Sequence, residues 1–188
     1  MKTSDKNKEL ENTSQYLTFA MRDENYAVKI NHVREVLDLP ALTKLPTMPA
    51  YMCGVISLRE QVVPIMDLGQ MLGMPPLADN RQATIIIFKT RTEDHEYIFG
   101  AVVDKVKTVI DLGADEIEPL PPMREDMLTD FIVGMGRKDN GFLIIIDIEQ
   151  VMSAKELNSL TVKAIRDMKT MAAALTAPVE ERQMAAGG

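Results

Sequence analysis

Apolar and polar positions alternate along much of this chain with the period of two that a half-buried strand requires. Between Gln15 and Met21, the side chains of Leu17, Phe19 and Met21 fall on one side, and after the polar turn Asp23-Glu24-Asn25 the alternation resumes at Tyr26, Val28 and Ile30. The pattern predicts a β-hairpin. Further strand-like runs cover Gly54 to Leu58, Val62 to Met66, Ala83 to Lys89, Tyr97 to Val103, Lys105 to Ile110, Phe131 to Met135 and Phe142 to Ile148. Many short strands at close spacing predict barrels or a sandwich. Asn140-Gly141 is the sharpest turn signal, because both residue types tolerate positive φ.

The chain also repeats itself. Tyr26 to Leu39 aligns without a gap with Phe99 to Leu112, 73 residues on. Leu45-Pro46-Thr47-Met48 matches Leu120-Pro121-Pro122-Met123 at 75 residues, and Val63 to Leu72 matches Leu143 to Met152 at 80. Three segments in the same order, with Asp67 against Asp147 and Gln70 against Gln150, point to a duplicated β-unit. A period this long with two copies is not a solenoid, so two small units facing each other are expected. Met74 to Asp79, with Pro75 and Pro76, reads as the connection between them.

After about Glu149 the pattern turns helical. Glu149 to Met152 starts a short helix, mirrored by Leu68 to Leu72, which ends at Gly73 as a C-cap would. Asn158 or Ser159 can cap a longer helix through Leu175, with Ile165, Met168, Ala172 and Leu175 at helical spacing for docking on the core. The expected organisation is a flexible segment 1–14, one domain of two intertwined units over 15–152, a C-terminal helix over 153–177 and a disordered tail over 178–188.

Composition narrows the function. The 188 residues carry a net charge of −7 and only 5% aromatics, whereas nucleic-acid binding favours a basic footprint or aromatic platforms. The apolar runs are strand-sized, which argues against membrane insertion, and the lone Cys53 cannot form an intrachain disulfide, which fits a reducing cytoplasm. With two His and one Cys there is no zinc set, and no phosphate loop or nucleophile elbow is present. No cofactor or metal is expected. His32 and His95 read as solvated or satisfied, Cys53 as a buried small hydrophobe, and the acidic runs at 115–118 and 180–181 as solvated faces. Met48, Met52, Met66, Met71 and Met74 read as core filling. Glu35 and Arg59 stand out, because their second-half counterparts, Thr108 and Arg137 or Lys138, do not repeat the charge pair.

These residues resemble a known family. Gln15-Tyr16-Leu17-Thr18-Phe19, Tyr26 to Ile30 with Val33-Arg34-Glu35-Val36, Pro46-Thr47-Met48-Pro49, Gly54 to Arg59 and Val63 to Leu68 are similar in order and spacing to the CheW family of chemotaxis adaptors. The likeness continues through Gly100 to Val106 and Phe142 to Met152. It implies a mainly β fold of two five-stranded SH3-like barrels and no enzymatic activity. It also implies coupling of methyl-accepting chemoreceptors to the histidine kinase CheA through the kinase's regulatory domain, with further copies of the adaptor as partners in array rings. Receptor tips are expected at Val33, Glu35, Val36, Gly54 and Arg59, with apolar Val33 and Val36 beside a positioned Arg59. Kinase contacts are expected at Thr84, Ile85, Ile86 and Gly100. The alternatives are a coupling module of another chemosensory pathway, serving pilus motility or gene regulation, and a small β-barrel enzyme or nucleic-acid binder. Glu60 stands where the family carries Gly, so strain or a different turn is expected beside Arg59.

Overall fold

Arg22 and Asp23, both at positive φ, close the first hairpin between β1 (Thr13–Met21) and β2 (Glu24–Lys29). The tight turn thus precedes the expected Asp23-Glu24-Asn25, because Met21 pairs with Glu24 and leaves only two residues between the strands. The computed structural model describes residues 13–78, 82–91, 96–121, 130–138 and 141–153. His95, the expected longer helix and both terminal segments fall wholly or largely outside these ranges.

The remaining elements are β3 (Val33–Asp38), β4 (Met52–Leu58), β5 (Gln61–Asp67), α1 (Leu68–Met71), β6 (Thr84–Arg91), β7 (Glu96–Val103), β8 (Lys105–Gly113), β9 (Ile117–Glu118), β10 (Ile132–Lys138), β11 (Gly141–Ile146) and α2 (Ile148–Ser153). The strand runs read from the pattern are all present. The structure adds β3 and the two-residue β9, places Gly141 inside β11 opposite Lys138, and gives Ile148 to a helix.

Two sheets form, in the orders β8-β1-β2-β11-β10-β9 and β3-β6-β7-β5-β4. Neither is a closed barrel, and the SH3-like description fits as two open, curled sheets. Neither consists of one half of the chain. The hairpin β1–β2 sits among β8, β10 and β11, and β6–β7 sits among β3, β4 and β5, so the repeats have exchanged their first hairpins.

The exchange obeys the sequence offsets at each register tested. Ala27 faces Ile145 in the parallel pair β2–β11, and Gly100 faces Ile65 in β7–β5. Leu17 faces Val109 as Ile86 faces Val36. Register shifts recur at Met52/Gly54 and Ile132/Gly134. At both glycines an added Cβ would lie 2.6 Å from a backbone oxygen, of Thr43 and Glu118 respectively, and Gly54 also has φ 146°. Asp67 and Asp147 each accept backbone N–H bonds at a helix start, and their own N–H groups donate to Tyr51 and Phe131.

One core lies between the sheets. Phe19 stacks on Tyr26 and, at the repeat positions, Phe88 packs against Phe99, with Met52, Met66 and Met71 filling around them. Met48 and Met74 pack against this cluster from its edge. Each sheet also curls around a smaller cluster on its far face, one including Ile56, Val63, Ile65, Ile85 and Ile87, the other Tyr16, Ile110, Leu112, Leu143 and Ile145.

A charge cluster that the pattern did not reveal ties the first hairpin to both repeats. The Arg22 guanidinium donates to both oxygens of Asp67, at 2.9 and 2.8 Å, and to the Pro75 carbonyl, while the Arg22 backbone N–H donates to Asp104. Asp67, its side chain 5% exposed, also accepts from the Leu77 N–H. The expected connection at Pro75-Pro76 is therefore pinned to the core. A Cβ at Gly69 would lie 2.9 Å from the guanidinium carbon, so glycine is needed for its approach. Replacing Arg22 would leave a buried carboxylate without its cation. We expect Arg22→Met to lower stability by about 3 kcal/mol in urea unfolding, and a loss under about 1 kcal/mol would show the pair to be dispensable.

Candidate functional site

Glu35 and Arg59 come together from opposite edges of the five-stranded sheet. β3 and β4 are its two outer strands, yet curling brings the β4–β5 turn over β3, and Arg59 Nη2 lies 3.5 Å from Glu35 Oε1. The bridge between Thr43 and Val55 helps fold the β4 edge inward. Arg34 Nε approaches the same oxygen at 3.9 Å, so the half-buried carboxylate lies between two guanidinium groups. Arg59 itself is 68% exposed. The pair orients one edge of the guanidinium, and the rest of this exposed head remains available to a partner.

Burial along β3 alternates, with Val33, Glu35 and Leu37 half-buried and Arg34, Val36 and Asp38 exposed. Val33 packs on the inter-sheet core, whereas Val36 is 40% exposed. The expected joint apolar surface of Val33 and Val36 is thus divided by strand alternation: Val36 supplies the open part. Gly54 is buried at the β4 bulge, where its backbone fits against Thr43, so it shapes the edge and offers no side chain.

Three of the four residues expected to face the kinase are buried in the sheet. Ile85 and Ile86 have no exposed surface, and Gly100 is buried against Ile65 and Ile85 because β6 and β7 are inner strands. Thr84, half-buried, is the one of the four whose side chain reaches solvent.

Arg59 and Glu60 occupy positive φ, at 48° and 66°, between the paired residues Leu58 and Gln61. The turn is therefore the tight two-residue form that favours glycine, retained with a glutamate in place. Cys53 is the extra residue of the β4 bulge and packs against the adjoining cluster. Burial, reinforced by the Asp67 charge, pushes its thiol up to about 11. His32 lies 3.7 Å from Glu149. Among the described residues, no His, Cys, Asp or Glu side chains gather as a metal site, and no helix is long and apolar enough to cross a membrane.

A family model described as the CheW-like domain matches residues 15–156. The chain belongs to the CheW family. It is 32% identical over 140 residues to a probable chemotaxis protein CheW of Rhizobium etli, covering 74% of this chain and 88% of that one. It is 31% identical over 130 residues to Protein PilI of Pseudomonas aeruginosa, covering 67% and 68%. The crystal structure of the scaffolding protein TtCheW from Thermoanaerobacter tengcongensis matches with a TM-score of 0.65 and 28% identity, over 76% of this chain and 94% of that one. The chain is thus a non-enzymatic scaffold of the chemotaxis adaptor type.

Two measurements probe the local chemistry. Glu60→Gly should raise stability by about 1 kcal/mol in urea unfolding by relieving one left-handed non-glycine residue; unchanged stability would show that the turn carries no strain. At pH 8 a thiol titrating near 11 is about 0.1% thiolate, against about a quarter for an ordinary thiol. Cys53 alkylation by iodoacetamide should accordingly be at least about 100-fold slower than that of a model thiol and should accelerate up to pH 11; a rate equal to the model thiol's at pH 8 would contradict its burial.

Proposed function

We propose that this chain couples the signalling tips of methyl-accepting chemoreceptors to the regulatory domain of the histidine kinase CheA, in cytoplasmic arrays that include further copies of the adaptor. The observation carrying this reading is the Arg59 head group, held by Glu35 yet open to solvent, beside the exposed Val36 on an edge strand. A receptor helix tip offers apolar and charged side chains. Val36 can cover the first and Arg59 can orient the second, giving modest affinity with defined register. Val33 and Gly54 act from beneath by setting the shape of the two edges.

The kinase is assigned to the end of β6 marked by Thr84, with Ile85, Ile86 and Gly100 holding the sheet behind it. Modest contacts of both kinds, repeated across an array, gain strength through avidity. A second reading, a coupling module of another chemosensory pathway, is favoured by the comparable identity to Protein PilI. Recovery of receptor and kinase by pull-down from the native cell distinguishes the two.

Reconstitution tests the first reading. Receptor-dependent CheA autophosphorylation should require this chain, and Arg59→Glu should weaken receptor binding by about tenfold while the thermal midpoint moves by less than about 2 °C. Full receptor binding by the variant, or its unfolding, would remove Arg59 from the contact.

A further inference from the structure

The repeat equivalence exposes a place where the two sheets differ in chemistry. On the far face of the five-stranded sheet, Leu58, Ile87 and Ile98 are all part of the apolar cluster or packed against it. Register and offset make Lys138, Thr18 and Asn25 their counterparts in the six-stranded sheet. Three apolar positions have become polar, and a cleft of ≈ 260 Å³ opens there, floored by Ile110 and Leu143.

Its mouth is cationic. Lys107 and Lys138 line it, and the Lys107 ammonium donates to the Asn25 side-chain oxygen, which holds it at the opening. The Thr18 hydroxyl is engaged by Thr108, donating to its carbonyl at 2.8 Å and accepting from its N–H at 3.1 Å, so it braces the wall. Among the described residues, no carboxylate lines the cleft. Phe142 stands on the rim, 58% exposed, with the Arg137 guanidinium 5.9 Å from its ring centroid. Two ammonium groups beside an open aromatic face are a local exception on a chain of net charge −7.

We propose that this cleft docks an acidic protein segment, one carboxylate side chain of which enters between Lys107 and Lys138 while an apolar neighbour covers Phe142. Charge complementarity selects the carboxylate. The exposed ring selects a protein segment over a free anion, because an anion alone would leave that apolar surface in water. None of the receptor- or kinase-facing residues proposed above lines the cleft, so the inference stands independently of that reading.

The test is an NMR titration of the full ¹⁵N-labelled chain with the capped peptide acetyl-Leu-Glu-Leu-Asp-Leu-amide, its Gln/Asn analogue, and sodium phosphate. The acidic peptide should shift the amides of Lys107, Thr108 and Phe142 saturably, and the neutral analogue should not. Lys138→Leu, which restores the apolar residue that Leu58 supplies in the other sheet, should weaken binding at least about tenfold, as should about 0.5 M NaCl. Lys107→Gln provides the same comparison if Lys138→Leu lowers the thermal midpoint. Absence of saturable shifts, equal binding of the neutral peptide, the same shifts from phosphate at equal concentration, or undiminished binding by a folded variant would each overturn the proposal.

Discussion

The parallel pairings β2–β11 and β7–β5 are the constraint on which the rest of the molecule depends. Each joins a hairpin from one repeat to strands of the other, so each sheet is built from both halves of the chain. A half by itself would leave its first hairpin without those partners and would expose Phe19 and Tyr26, or Phe88 and Phe99, to water. The inter-sheet core therefore forms only when both hairpins are in place. Arg22 reinforces that arrangement from the turn of the exchanged hairpin, since its partners lie on β5, on the connection after α1 and beside the end of β7.

Duplication supplies a common frame, and the proposed contacts lie where the copies differ. Val36 and Val109 occupy equivalent positions on equivalent edge strands and are similarly exposed, at 40% and 44%. Beside Val36 the chain places Glu35 and, across the curled sheet, Arg59; the Glu35 counterpart beside Val109 is the uncharged Thr108. The reverse holds within the sheets, where Leu58, Ile87 and Ile98 give way to Lys138, Thr18 and Asn25. A fold with two similar surfaces thus presents an edge with an oriented arginine on one and a cationic cleft on the other. Neither requires a reactive group, in keeping with the scaffold character of the family.

Much of the fold was legible in local pattern. Alternation located the long strands because one face of each is buried, and the offsets of 73, 75 and 80 residues located the repeat because equivalent strands bury equivalent side chains. The first turn falls one residue earlier than expected because residues 22–25 are all polar and their types do not single out the turn pair, whereas cross-strand pairing decides which two residues must take positive φ. Glu35 and Arg59 stood out by breaking the repeat, but a pattern of residue types cannot give the facing of Val33, or show that Ile85, Ile86 and Gly100 lie on inner strands. Arg22 carried no signal that linked it to Asp67, 45 residues away.

Local pattern accounts for a β-rich, duplicated, acidic chain, two short helices after matched aspartates, and a resemblance to chemotaxis adaptors that family comparison bore out. Periodicity, turn chemistry and residue type act over a few residues, and those properties follow from them. Tertiary structure decided the exchange of hairpins, the meeting of Glu35 with Arg59, the burial of the Arg22–Asp67 pair and the opening of the cleft at Lys107 and Lys138. All four depend on sheet order and curl, which place residues far apart in the chain within hydrogen-bonding or van der Waals reach.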